Sequence, residues 1–201
     1  MRELSLHVLD IAQNSLEAGA TYIEVTVHED RISDRLTITI KDNGRGMPPD
    51  LLVKVKNPFV TTRQTRKVGL GLSLLAAACE ASDGRLDISS GLGAGTVVVA
   101  TFRLSHIDRA PLGDMASTIV ALLACNPGLR VRYEHILVAS PGRSGCAGDE
   151  YRKFIFDSDA LVRLLENVPV SNPRVLCAVR EMIEEGIAHM YQEEHQDAGN
   201  G

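Results

Sequence analysis

Two segments alternate strictly between apolar and polar residues, 22–28 (Ile23, Val25, Val27) and 36–40 (Leu36, Ile38, Ile40). Only a turn over 30–35 separates them, so they form an antiparallel hairpin with one apolar face. The residues before the hairpin follow a different period. At 100° per residue, Leu4, Val8, Ile11, Ala12 and Leu16 fall on one side of a helix over 3–18. His7, Asp10, Gln13, Asn14 and Glu17 fall on the other, and Gly19 ends the helix as a C-terminal cap.

After the hairpin, the run DNGRGMPPD breaks all regular structure. A short helix over 50–55 and an apolar helix over 70–81 follow, then strands over 85–90 and 96–104 joined by GLGAG. The segment RLSHIDRAPLGD marks a boundary, with Asp114 as the cap of the next helix. Beyond it the pattern predicts a helix over 115–125, strands over 129–139 and 151–156, and helices over 157–166 and 173–192. The expected division is 1–104 and 105–201.

Composition narrows the function. Hydrophobic residues make up 44% of the 201, but aromatics only 4%, with no Trp. The core is therefore aliphatic, and binding of bases or sugars by stacking is disfavoured. A net charge of −5 argues against nucleic acid and anionic membranes as partners. Cys79, Cys125, Cys146 and Cys177 form no Cys-x-x-Cys pair, and the six His show no zinc spacing. Charges interrupt the first apolar run, and no stretch of 18 apolar residues occurs, so a soluble, cytoplasmic protein is expected.

Three separated pieces carry chemistry. Asp10 and Asn14 lie one turn apart on the polar face of the first helix. An Asn oxygen can ligate a hard cation such as Mg²⁺, and a carboxylate nearby can deprotonate a water. Asp42 ends a strand and can accept a hydrogen bond from an exocyclic amine, while Gly44 and Gly46 permit close approach to a flat ring. Between Leu51 and Cys79 there is no acidic residue, yet Lys54, Lys56, Arg63, Arg66 and Lys67 all fall there. Gly69 and Gly71 then open a helix, whose free N–H groups can face an anion. Each piece alone reads equally as a solvated helix face, a plain Asn-Gly turn or a basic loop.

The order of these pieces is more specific than any one of them. DIAQNSLEAGAT, DNGRGM, NPFVTTRQTRKVGLGLSLL and GAGTVVVATF resemble, in sequence, the four boxes of the GHKL group, which unites histidine kinases, DNA gyrase B, MutL proteins and the ninety-kilodalton heat-shock chaperones. The resemblance covers roughly residues 3–104. It implies an α+β fold, a two-layer α/β sandwich of the Bergerat ATP-binding type, here with a small α+β C-terminal extension. It further implies ATP and magnesium as ligands. Asn14 would ligate Mg²⁺. Asp42 would read the adenine amine with help from Thr96 through water, and Gly44, Gly46 and Met47 would line the base pocket. Thr62, Arg63 and Lys67 would sit in a cationic lid, and the amides of Gly69, Leu70, Gly71 and Leu72 would cradle phosphates. Asp10 takes the place where ATPases of the group usually carry Glu, which implies a catalytic base with a shorter reach.

Three functions stay open on this reading: a slow ATPase, a kinase acting in trans on another protein, and a non-catalytic ATP sensor that gates a partner. Two-component self-phosphorylation is not expected, because the first box begins near residue 7 and leaves no room for a preceding dimerisation helix. A homodimer is compatible with the group. Some of the small bacterial proteins that resemble this chain across RLSHIDRAPLGD as well lie near iron-hydrogenase genes, which makes a redox enzyme such as an iron hydrogenase one candidate partner.

Overall fold

The computed structural model describes residues 3–56, 70–139, 150–166 and 168–197. Every expected element in those ranges is present, with its ends shifted by a few residues. In the first half these are α1 (Leu4–Glu17), β1 (Tyr22–Asp30), β2 (Arg35–Asp42), α2 (Pro49–Lys56), α3 (Leu70–Glu80), β3 (Arg85–Gly91) and β4 (Gly95–Arg103). The second half adds α4 (Met115–Cys125), β5 (Arg130–Ala139), β6 (Glu150–Asp157), α5 (Ser158–Leu165) and α6 (Pro173–Asp197).

The strands form one six-stranded sheet in the order β3-β4-β2-β1-β5-β6. The β1–β2 hairpin is antiparallel, as expected, with Val25 opposite Ile40 and Val27 opposite Ile38. Its other neighbour is the surprise. β5, from the second half of the chain, pairs in parallel with β1 from Tyr22↔Arg130 to Asp30↔Val138. Residues 1–104 and 105–201 therefore share a sheet. Antiparallel pairing of β6 with β5 continues it.

Alternation along each strand puts the apolar residues on one face. Ile23, Val25 and Val27 of β1, Leu36, Ile38 and Ile40 of β2, and Val98, Ala100 and Phe102 of β4 are all buried there. Helices α1, α3, α4 and α6 cover that face and contribute Val8, Ile11, Leu75, Ile119, Leu122 and Ile183 to one cluster with the strands. The result is a two-layer α+β sandwich. Its core is mostly aliphatic, with Phe102, Tyr133 and Phe156 as its buried aromatics.

The connection after β4 has a structural task. Leu4 and Ser5, at the start of α1, donate their N–H groups to the carbonyls of Pro111 and Leu112 at 3.0 and 2.8 Å. A helix start leaves such groups without intrahelical partners. Asp114 caps α4 as expected, accepting from the Ser117 N–H at 2.7 Å. Contacts of α1 with both α3 and α4 bury more of it than its apolar stripe. His7, which its position in the helix places on the polar side, is only 2% exposed.

Among the described residues, no helix is long and apolar enough to cross a membrane. Cys79, Cys125 and Cys177 are free thiols, and burial pushes that of Cys79 up to about 12.

Candidate functional site

Asp42 is the last residue of β2 and is 7% exposed. A buried carboxylate needs donors, and this one has three. Its Oδ1 accepts the N–H groups of Gly44 (2.8 Å) and Thr96 (3.2 Å). Its Oδ2 accepts the hydroxyl of Ser15 at 2.7 Å. A carboxylate has about four acceptor sites, so among the described residues Oδ2 keeps one free.

The loop that follows is pinned on both sides. The Asn43 side-chain oxygen accepts from the N–H groups of Thr21 and Tyr22, both at 2.9 Å, and its amide donates to Thr21 Oγ1. Asn43 thus ties the loop to the start of β1. On the other side, Arg45 accepts at its carbonyl from Gly93 N–H, in the β3–β4 turn. Gly46 adopts φ +68, and a Cβ there would lie 1.9 Å from the Gly91 carbonyl oxygen. Its need for glycine comes from this contact with the β3–β4 turn. The Met47 N–H donates to Ser90 Oγ at 2.8 Å, and Ser90 Oγ shares a hydrogen with Thr96 Oγ1 at 2.9 Å.

These elements enclose a cavity of about 170 Å³. Ile11, Met47, Leu51, Leu72 and Val98 supply apolar walls, and Asp42, Asn14 and Thr96 supply polar groups. The exposed side chains of Glu17 and Arg45 also line it. A flat apolar group carrying an N–H donor suits such a space.

Six of the residues picked out from the sequence line this cavity: Asn14, Asp42, Gly46, Met47, Leu72 and Thr96. Gly44 acts one step back, through its N–H on Asp42. Asp10 and Gly71 meet beside the cavity: a Cβ on Gly71 would lie 3.3 Å from Asp10 Cβ and 3.5 Å from Asp10 Oδ2. Asp10 therefore faces the first turn of α3. Leu70 starts that helix. Thr62, Arg63, Lys67 and Gly69 lie outside the described residues.

Sequence reasoning missed Ser15 and Ser90. Ser15 follows Asn14 directly and is four residues beyond Ile11, on the buried side of α1. A serine in a buried stripe was the available signal. Ser90 could have been found by folding the strands about GLGAG, which sets it opposite Thr96. Thr96 reaches Asp42 directly through its N–H.

His7 is buried rather than solvated, and among the described residues its Nδ1 has no hydrogen-bond partner. Burial lowers its pKa, followed by the repulsion of the amino terminus, while Asp10 acts in the opposite sense. So buried a ring is no phosphoacceptor in this conformation. Among the described residues, no three His, Cys, Asp or Glu side chains converge as metal ligands.

A family model described as "Histidine kinase-, DNA gyrase B-, and HSP90-like ATPase" matches residues 2–106. The putative sensor histidine kinase NtrY-like of Rickettsia bellii is 32% identical over 107 residues, 53% of this chain and 17% of that protein. The sensor protein kinase FleS of Pseudomonas aeruginosa is 37% identical over 105 residues, 52% of this chain and 25% of that protein. The chain thus spans a quarter or less of these relatives. A solved structure of the Aquifex aeolicus MutL ATPase domain complexed with ADP covers 66% of this chain and 60% of its own, at 18% identity and a TM-score of 0.43.

Proposed function

Since this chain belongs to the histidine kinase-, DNA gyrase B-, and HSP90-like ATPase family, we propose that its cavity binds the adenine end of ATP and that the bound nucleotide is hydrolysed slowly or used to gate a partner protein. The observation that carries this reading is the set of partners on Asp42. Three donors fix the carboxylate and leave Oδ2 one acceptor site beside apolar walls. An adenine amine fits that site as donor, and Met47, Leu72 and Val98 fit its ring.

Asn14 suits a magnesium ion that arrives with the nucleotide. Its amide is a hard oxygen donor lining the same cavity, and Mg²⁺ is usually held by few protein ligands, with phosphates and waters completing its shell. The ion would neutralise charge on the triphosphate. The lid residues Thr62, Arg63 and Lys67 and the amides of Gly69, Leu70, Gly71 and Leu72 would hold the phosphates. Asp10, one turn before Asn14 and packed against the first turn of α3, would orient or deprotonate a water near the terminal phosphate. Its side chain is one methylene shorter than Glu, so turnover is expected to be slow. Residues 105–201 would report the nucleotide state, with β5 along β1 as the mechanical link.

The test incubates the protein with γ-labelled ATP, with and without Mg²⁺, beside Asn14→Ala. Bound nucleotide, free phosphate and protein-bound label are followed separately. The expected result is stoichiometric ATP binding that strengthens with Mg²⁺, with free phosphate slightly above the variant. Asn14→Ala should lose the Mg²⁺ dependence; a variant that retains it would reject Asn14 as the ligand. Absence of ATP binding would overturn the proposal. Label on a co-purified protein would make the chain a kinase in trans.

A further inference from the structure

Among the described residues, the large hydrophobic side chains exposed within a strand are Tyr151 and Ile155, at 58% and 43%, and both lie on β6. β6 is an outer strand and, among the described residues, is hydrogen-bonded to β5 alone. The opposite edge differs. β3 is packed by α2 and carries the Arg85–Asp87 ion pair at 2.8 Å. Outer strands present unpaired N–H and C=O groups, and proteins usually guard them with charge, most often Lys.

β6 has such a lysine, but it does not act as a guard. Tyr151, Lys153 and Ile155 share one face of the strand, opposite Val138, Ile136 and Glu134 of β5. The Lys153 Nζ lies 2.5 Å from Glu134 Oε1. Its charge is turned inward onto the neighbouring strand and neutralised there. The two apolar groups on either side of it remain exposed.

We propose that β6 pairs antiparallel with β6 of a second copy, about a two-fold axis at Lys153, joining two six-stranded sheets edge to edge. The spacing sets the register. Tyr151 and Ile155 are equidistant from Lys153, so the two-fold places Tyr151 of each copy opposite Ile155 of the other. Aromatic and β-branched residues are favourable cross-strand partners. On the helix side Arg152 meets Phe154. Because side chains alternate, only shifts that keep like faces together are allowed. Centring the axis on Phe154 sets Tyr151 against Asp157 and Ile155 against Lys153. Centring it on Arg152 sets Tyr151 against Lys153. Only the Lys153 register covers both apolar groups. Each Lys153 meets its copy across the axis with its own Glu134 beside it, a carboxylate that also pairs with Arg132, which in turn meets Glu24 and Asp157. A contact of two short strands falls below the standard interface size, so the association is expected to be weak.

Sedimentation velocity on the full chain, from low micromolar to several hundred micromolar, tests this. A concentration-dependent monomer–dimer equilibrium is expected. Ile155→Lys should abolish it while far-UV circular dichroism and ATP binding stay unchanged. Lys153→Cys supplies a register test independent of that variant. Residues opposite each other across an antiparallel pair lie about 4.5–5.5 Å apart at Cα, within disulfide reach. Mild oxidation should yield a symmetric 153–153 cross-linked peptide in mass spectrometry. A protein monomeric throughout, a dimer that survives Ile155→Lys, or cross-links through the native cysteines alone would each overturn the proposal.

Discussion

Asp42→Asn should weaken ATP binding by about 10- to 150-fold while leaving the fold intact. The size follows from a hydrogen bond to a charged group, about 1.5–3 kcal/mol. The direction follows from the geometry. Oδ1 accepts two backbone N–H groups, from Gly44 and Thr96, so an Asn must place its oxygen there. Its NH₂ then takes the position of Oδ2. Ser15 can adjust, because a hydroxyl both donates and accepts and Ser15 Oγ also lies 3.2 Å from the Ile11 carbonyl. An adenine amine cannot, since donor would face donor. A base presenting a carbonyl at that edge should lose less, so calorimetry with ATP and with GTP should show the ratio of affinities moving toward GTP. Unchanged ATP affinity would remove Asp42 from the base pocket, and an equal loss for both nucleotides would point to collapse of the loop.

The parts of this site legible in the sequence were those set by local chemistry. Asn14 and Asp10 could be placed because helical spacing puts positions four apart on one side. Asp42 and Gly46 could be placed because a strand followed by DNGRGM leaves few conformations open. What escaped depends on contacts far apart in the chain. Ser15 binds a carboxylate 27 residues away, and nothing in α1 alone says that β2 ends there. Gly46 looked like a residue that admits a ligand, yet its nearest neighbour is the Gly91 carbonyl. The same limit applies to the fold. The alternating pattern over 129–139 identifies a strand but not its partner, and a parallel partner more than 100 residues upstream leaves no local trace. His7 was misplaced because a helix wheel has two sides, whereas α1 is covered by a sheet and by two flanking helices.

His135→Ala should lower stability by about 3–5 kcal/mol, because it leaves a partly buried carboxylate short of its partner. The His135 ring is fully buried on β5. Its Nε2 lies 3.0 Å from Glu29 Oε1, and its Nδ1 lies 2.8 Å from the Tyr133 hydroxyl. Tyr191 of α6 donates to the same Glu29 oxygen at 2.6 Å. An ionised carboxylate only accepts, so Nε2 carries a proton directed at Glu29. In a domain of this size the expected fall in melting temperature is roughly 10 °C. Tyr191→Phe should cost less, since His135 remains on Glu29. Acidification gives a second reading. Burial alone would raise the Glu29 pKa, but the hydrogen bonds from His135 and Tyr191 outweigh it and hold the carboxyl below its ordinary value of 4.5. A carboxyl depressed on folding stabilises the fold above its unfolded pKa, and that stabilisation is lost as pH falls through the folded value. The wild type should therefore lose stability over that acid window, and His135→Ala should lose less of it there. Thermal unfolding of both proteins at pH 7 and below pH 4.5 decides the matter. Parallel pH profiles would show that Glu29 is not held by His135. The three elements joined here are β1 of the first half and β5 and α6 of the second half, so the same measurement reports how firmly the second half is fixed to the first.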